Sequence, residues 1–188
     1  DIGKFYFIKN IKGYHFTCDD DIIYPPNYVD FMLSKLKLHN GFVSCHGAIF
    51  NMPFKSFYKS KTVFHFRKKI ESDISVDLVG TGVMAYDASK IKVPLTLFEN
   101  KNMADIYIAI FAKRKNIKCT VVKHNEFFLK DYYIENLSKN YFIRLFQKFK
   151  NKLMLENIYK QFKNNHKIQT DLVKENKLWS LYNSTKLD

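Results

Sequence analysis

The segment from Gly13 to Asp21 constrains the fold of this chain more than any other. Gly13-Tyr14-His15-Phe16-Thr17-Cys18 is short, rich in aromatic residues and opened by glycine, which reads as a strand. It runs directly into Asp19-Asp20-Asp21 and then Ile22-Ile23-Tyr24-Pro25-Pro26. Pro26 suits the first turn of a helix, where its missing N–H does no harm. Beyond it, Val29, Met32, Leu33 and Leu36 share one helical face. The opening unit is therefore strand, acidic loop, helix.

The same alternation continues. Phe42 to Ile49 reads as a strand bounded by Asn40-Gly41, and residues 51–61 as a loop with Pro53 and three lysines. Thr62 to Arg67 reads as another strand. Asp77 to Val79 and Val83 to Tyr86 are short strands around Gly80-Thr81-Gly82. Lys92 to Asn100 is irregular. Asn102 suits a helix N-cap, with Asp105 in the first turn, where an acid complements the helix dipole. Met103, Ile106, Ile110 and Phe111 line one face of that helix, and Lys113, Arg114 and Lys115 close it. Residues 117–123 read as a strand, and the pattern is helical from about residue 130 to the end. Strands and helices in alternation, then a helical tail, predict an α/β fold. A length of 188 residues predicts one domain, and 46% apolar content is enough for a real core.

No run of about 18 apolar residues exists to cross a membrane. The start, Asp-Ile-Gly-Lys-Phe, has neither an initiator Met nor the basic-then-apolar pattern of a signal peptide. Cys18, Cys45 and Cys119 are odd in number and widely spaced, which predicts free thiols in a reducing compartment. The net charge of +13 calls for anionic partners: nucleic acid, phosphate-bearing small molecules or an acidic membrane surface. Between Ser138 and Lys167, Lys139, Arg144, Lys148, Lys150, Lys152, Lys160, Lys163 and Lys167 face a single acid, Glu156. There Tyr141, Phe142, Leu145, Phe146 and Phe149 form an apolar stripe beside Arg144, Lys148 and Lys152. Such a helix lies on an anionic membrane or packs its apolar face on its own domain. No RRM-like, zinc-finger or helix-turn-helix signature supports nucleic-acid binding.

Chemistry concentrates in three places. Asp19, Asp20 and Asp21 repel one another, and a hard divalent cation relieves that repulsion with oxygen ligands. In an extended loop the first and third side chains share a side, so Asp19 and Asp21 converge on one ion. The competing reading is a solvated acidic turn ahead of a helix. Asp105 is a candidate general base, or simply an acid at a helix N-terminus. Gly80-Thr81-Gly82 lets backbone approach a sugar closely, or merely turns between strands. The six histidines show no metal spacing; His46 and His124 are candidates to complete a metal shell, or core residues.

Taken in order, these segments resemble one family. Asp1-Ile2-Gly3-Lys4-Phe5 with Gly13 through Pro25 resembles the Asp-x-Asp region of GT-A fold glycosyltransferases. The similarity is closest to family 2-like enzymes of bacterial capsule and surface-polysaccharide synthesis. Asp77 through Tyr86 resembles their acceptor-side segment, and Asn102-Met103-Ala104-Asp105-Ile106 the segment with their catalytic acid. Asn157-Ile158-Tyr159, Gln169-Thr170 and Trp179 are also similar to such chains. The resemblance implies a partial GT-A domain over residues 1–130, a Rossmann-like mixed sheet flanked by helices. A basic helical extension covers 131–188.

It also implies roles. Asp19 and Asp21 would engage Mn²⁺ or Mg²⁺. Asp19, Asp20, Gly80, Thr81 and Gly82 would line the nucleotide-sugar site. Asp105 would take the proton from the acceptor hydroxyl in an inverting transfer of a hexose or N-acetylhexosamine. The donor would be a UDP-sugar and the acceptor a glycan or lipid-linked glycan. The enzyme would be cytoplasmic or peripheral on the inner face of the membrane. In the family a nucleotide-binding half precedes the Asp-x-Asp segment, so a fragment is expected, one that binds donor poorly by itself. The alternative is a basic module that binds nucleic acid or a membrane surface without catalysis.

Overall fold

The computed structural model of the protein describes residues 2–132 and 163–176. The chain begins with a 3-10 helix, Ile2–Asn10, whose Phe5 is fully buried against Phe98, ring centroids 4.7 Å apart. Then follow β1 (Tyr14–Cys18), β2 (Ile22–Ile23), α1 (Tyr28–Leu38), β3 (Gly41–Ser44), β4 (Gly47–Phe50) and β5 (Lys61–Phe64). The second half adds β6 (Ile74–Ser75), β7 (Leu78–Val79), β8 (Val83–Asp87), α2 (Ala104–Arg114), β9 (Lys118–Val121) and β10 (Lys130–Asp131). A last helix, α3, spans 163–175. The fold is α/β, as the alternation predicts.

The main sheet has five strands in the order β1-β8-β3-β9-β6. It is mixed: β3 and β9 run parallel, and the other neighbours antiparallel. A three-stranded antiparallel sheet, β5-β4-β7, and the β2-β10 pair complete the architecture.

Strand alternation assigns side chains to two faces. Phe42, Met84 and Tyr86 enter the core beside Tyr107, Ile108 and Phe111 of α2. Val43, Val83 and Ala85 point the other way, onto Tyr28 and Met32 of α1. The opposite side of α2 sends Ile106, Ala109 and Ile110 against Ala48, Phe50 and Leu78 of the small sheet and Val173 of α3. Helix α2 is thus wedged between two sheets, and that is why it is apolar on nearly every side.

Several boundaries differ from the sequence reading. Phe42 to Ile49 is two strands, not one, because the chain bends at Cys45-His46 and passes to the second sheet. A Cβ at Gly47 would lie 2.5 Å from the Leu78 carbonyl, so only glycine fits at that crossing. On α1 the buried residues are Tyr28 and Met32, while Val29 is 49% exposed. Asn102 has φ of 59° and is not the cap; Met103 precedes the helix. The strand expected at 62–67 is β5, one residue earlier and shorter, and β6 was not expected.

The aromatic stripe at 141–149 with Arg144, Lys148 and Lys152 lies outside the described residues, as do Trp179 and 157–159. Among the described residues no helix is long and apolar enough to cross a membrane. The cysteines are free; Cys45 and Cys119 are buried, which lifts both thiols to about 12.

Candidate active site

The ends of β1 and β8 meet the start of α2 at a cleft of about 850 Å³. Asp19, Asp20, Gly80, Thr81, Gly82 and Asp105, six of the seven residues given roles by the family resemblance, line it. Residues separated by up to 86 positions thus share one cavity because β8 lies beside β1 and the loop before it reaches the first turn of α2.

At the β1 end, the Asp19 N–H donates to the Gly82 carbonyl at 3.0 Å and to the Tyr24 hydroxyl at 2.9 Å. That hydroxyl donates in turn to the Gly82 carbonyl at 2.6 Å. Burial raises the Tyr24 pKa, so it stays a neutral phenol that can both donate and accept. The Asp19 carboxylate is ion-paired with Lys4 from the N-terminal helix. A Cβ on Gly82 would overlap that carboxylate, so glycine at this position leaves Asp19 its place in the cleft.

Asp20 and Asp21 form a turn, not the extended loop expected. Asp20 is exposed and lines the cleft. Asp21, the second residue of the turn, is also exposed; its carbonyl accepts from the Tyr132 N–H at 2.9 Å, and it is not part of the cleft lining. The structure therefore pairs Asp19 with Asp20 at the cleft, where alternation predicts Asp19 with Asp21. Among the described residues no three His, Cys, Asp or Glu side chains converge as a metal cage. Two carboxylates still fit Mg²⁺ or Mn²⁺ chemistry, because such ions take one or two protein carboxylates and complete their shell with phosphates and water.

Asp105 is firmly positioned by one neighbour. Its Oδ1 accepts from the Thr81 N–H at 2.8 Å and from the Thr81 hydroxyl at 2.6 Å. Thr81 itself is 2% exposed, so the contact is rigid. Asp105 keeps a partial opening onto the cleft, with protein packed behind the carboxyl. Burial raises its pKa above the ordinary aspartate value; the two Thr81 bonds and Lys4 oppose that rise, and Asp19 adds to it. A carboxylate of raised basicity, held by one oxygen, is the preparation a general base needs.

His46 and His124 separate. His46 lines the cleft, and burial lowers its pKa to about 4. A Cβ on Gly80 would sit 2.8 Å from the His46 ring, so Gly80 gives that ring its space. The His124 Nδ1–H donates to the Val122 carbonyl at 2.7 Å; the residue is 5% exposed and lies away from the cleft.

Four lining or supporting residues have no role assigned from the sequence: Lys4, Tyr24 and Gln169, which fall in segments of the family resemblance, and Lys61. Each reaches the site through tertiary packing. Lys61 falls inside the segment read as a lysine-bearing loop.

No family model matches the chain, and no curated protein matches it.

Proposed function

We propose that the chain is the metal-binding and acceptor-side part of a sugar-nucleotide glycosyltransferase, inverting at the anomeric carbon. The observation that carries this reading is Asp105, gripped by Thr81 through one oxygen, in the same cleft as Asp19 and Asp20. One site serves the leaving group's charge and another the nucleophile's proton.

In this reading the acceptor hydroxyl attacks the anomeric carbon of a UDP-sugar. The new C–O bond forms as the bond to the diphosphate breaks, and the hydroxyl proton passes to the Asp105 Oδ2. Thr81 holds the carboxylate in place, and the Gly80 and Gly82 backbone leaves room for the sugar. Asp19 and Asp20 would hold a Mn²⁺ or Mg²⁺, which supplies neutralising charge for the diphosphate. Asp19 turns toward the cleft because Tyr24 and Gly82 fix its backbone. The basic run at 138–167 supports a lipid-linked acceptor at an anionic membrane surface on the cytoplasmic side. Liposome co-sedimentation tests that point, and binding unchanged when Lys148 and Lys152 are replaced removes it.

Calorimetric titration with UDP-sugars, with and without Mn²⁺, tests the transfer reading together with a turnover assay. Metal-dependent binding that Asp19→Ala abolishes and Asp105→Asn preserves is the expected pattern. Binding indifferent to the metal and to Asp19 counts against it.

A further inference from the structure

The cleft holds a cation that the transfer step does not use. Lys61 opens β5 and is partly buried in the cleft wall. Its ammonium lies 3.7 Å from the Phe57 ring centroid and 4.9 Å from that of Tyr58. Among the described residues no carboxylate forms an ion pair with it. Ring faces attract a cation but replace only part of its lost hydration. Desolvation accordingly lowers the Lys61 pKa, and the charge of Asp105 works against that shift. A cation in this state has unspent capacity for an anion.

The same wall offers a second unfilled contact. Gln169 of α3 lines the cleft and is 8% exposed; its side-chain amide is hydrogen-bonded to Tyr58, which leaves only the amide oxygen without a partner. Unpartnered buried acceptors are few in folded proteins, and each asks for a donor. Helix α3 is anchored for the purpose: the Thr170 hydroxyl accepts from the Phe57 N–H at 3.2 Å, and His166 packs on Tyr58 at 4.9 Å. Tyr58, beside the Lys61 ammonium and the His166 ring, keeps 42% of its surface exposed for contact with a sugar.

We propose that Lys61, Tyr58 and Gln169 form the acceptor subsite and select an acceptor sugar bearing an anionic group, a carboxylate or a phosphate ester. The inference rests on the glycosyltransferase reading, because that reading makes Asp105 the acceptor-side acid. Lys61 belongs to the small sheet, whereas Asp19 and Asp20 stand at the β1 end where the donor diphosphate is assigned. Asp105 lies within electrostatic reach of both groups. An anionic acceptor entering alone would add negative charge beside Asp105. Lys61 cancels that charge, so the acceptor's anion and the base coexist.

The test needs neither donor nor metal. Ligand-detected NMR titrations would compare methyl glucuronide, glucose 6-phosphate and methyl glucoside on the wild-type chain at low ionic strength. One or both anionic probes should bind about tenfold tighter than the neutral one, and which of them does identifies the group. Lys61→Met should erase that advantage and leave methyl glucoside unchanged; Lys61→Arg should retain it. Lys37→Met, on the exposed side of α1, controls for the overall positive charge. Equal binding of all three probes, or an anion preference that survives Lys61→Met, overturns the subsite. A loss confined to UDP binding in Lys61→Met also overturns it, since it moves the lysine to the donor side. Failure here leaves the transfer reading to its own test, loss of turnover in Asp105→Asn.

Discussion

Thr81 donates twice to a single oxygen of Asp105, from its N–H at 2.8 Å and its hydroxyl at 2.6 Å. One carboxylate oxygen is thereby immobilised, and no hydrogen bond from the described residues occupies the other. Asparagine can accept both Thr81 bonds through its own Oδ1 but cannot take a proton. Asp105→Asn should therefore lower turnover by about 10²–10⁴ while donor affinity stays near the wild-type value. Single-turnover and binding measurements on the same preparation separate the two effects, and retained turnover moves the base elsewhere.

The acidity of Asp105 gives a second expectation. Burial raises its folded pKa above the aspartate reference. A general base works deprotonated, so in the role proposed for Asp105 the acid limb of kcat/KM should lie above the ordinary aspartate range. Thr81→Val removes the hydroxyl donor that favours the charged form, and should push the limb further up. The stability sign is opposite to that of an ion-paired acid. A raised folded pKa contributes stability below the unfolded value and loses it as pH rises through the folded value. Asp105→Asn should thus melt no lower than wild type at neutral pH, and that difference should shrink on acidification. A variant that melts lower at neutral pH would show the carboxylate to be structurally favourable.

Gly82 offers a way to separate folding from function. A Cβ there meets only the carboxylate end of Asp19, a flexible group that can swing aside. Gly82→Ala should lower stability by no more than about 1 kcal/mol, yet displace Asp19 and weaken metal-dependent binding at least tenfold. Tyr24→Phe tests the same geometry from behind. It deletes the bonds to Gly82 and Asp19 and should cost about 1–2 kcal/mol. Chemical denaturation beside Mn²⁺ titration reads both.

The three aspartates should not be equivalent. Asp19 and Asp20 line the cleft, and Asp21 does not. Asp19→Ala and Asp20→Ala should each remove the metal dependence of donor binding, and Asp21→Ala should weaken it less. Lys4 competes for the Asp19 carboxylate, so Lys4→Met should tighten Mn²⁺ binding. A ranking with Asp21 dominant would return the metal to the pair that alternation predicts.

What the sequence disclosed and what it hid divide by range. Strand β1, the acid cluster, the Gly80-Thr81-Gly82 turn and the first-turn position of Asp105 are local patterns, and each was legible. The convergence of those segments on one cleft is a tertiary relation that none of them encodes alone. The bend at Cys45-His46 was not legible, since Phe42 to Ile49 carries no proline and only one glycine to mark a break; the kink answers to Leu78 and Val121 packed against Gly47. Tyr24 reaches Gly82 across 58 residues, and Thr170 meets Phe57 across 113. No periodicity encodes such pairings. Asp21 was misplaced because alternation assumes an extended loop and Asp20-Asp21 turn.

His46 supplies the last expectation, one that concerns stability apart from catalysis. Its ring packs against His65 at 4.8 Å and Phe66 at 6.0 Å, and its Nδ1 has no partner. Burial is the main cause that lowers its pKa from 6.5 to about 4, with His65, Lys61 and Arg67 adding repulsion. A depressed histidine contributes stability above the unfolded pKa and loses it as pH falls through the folded one. The window therefore runs from about 6.5 down to about 4, and the full loss amounts to at most about 3 kcal/mol. His15, His65 and His124 are lowered as well, so wild-type stability should fall through this window by more than one histidine's share. His46→Gln has no proton to gain. Its unfolding free energy should decline less steeply between neutral pH and pH about 4 than the wild type's, whatever the offset at neutral pH. Parallel curves would mean that the ring is reached by water and that the cleft is wetter at its floor than its packing implies.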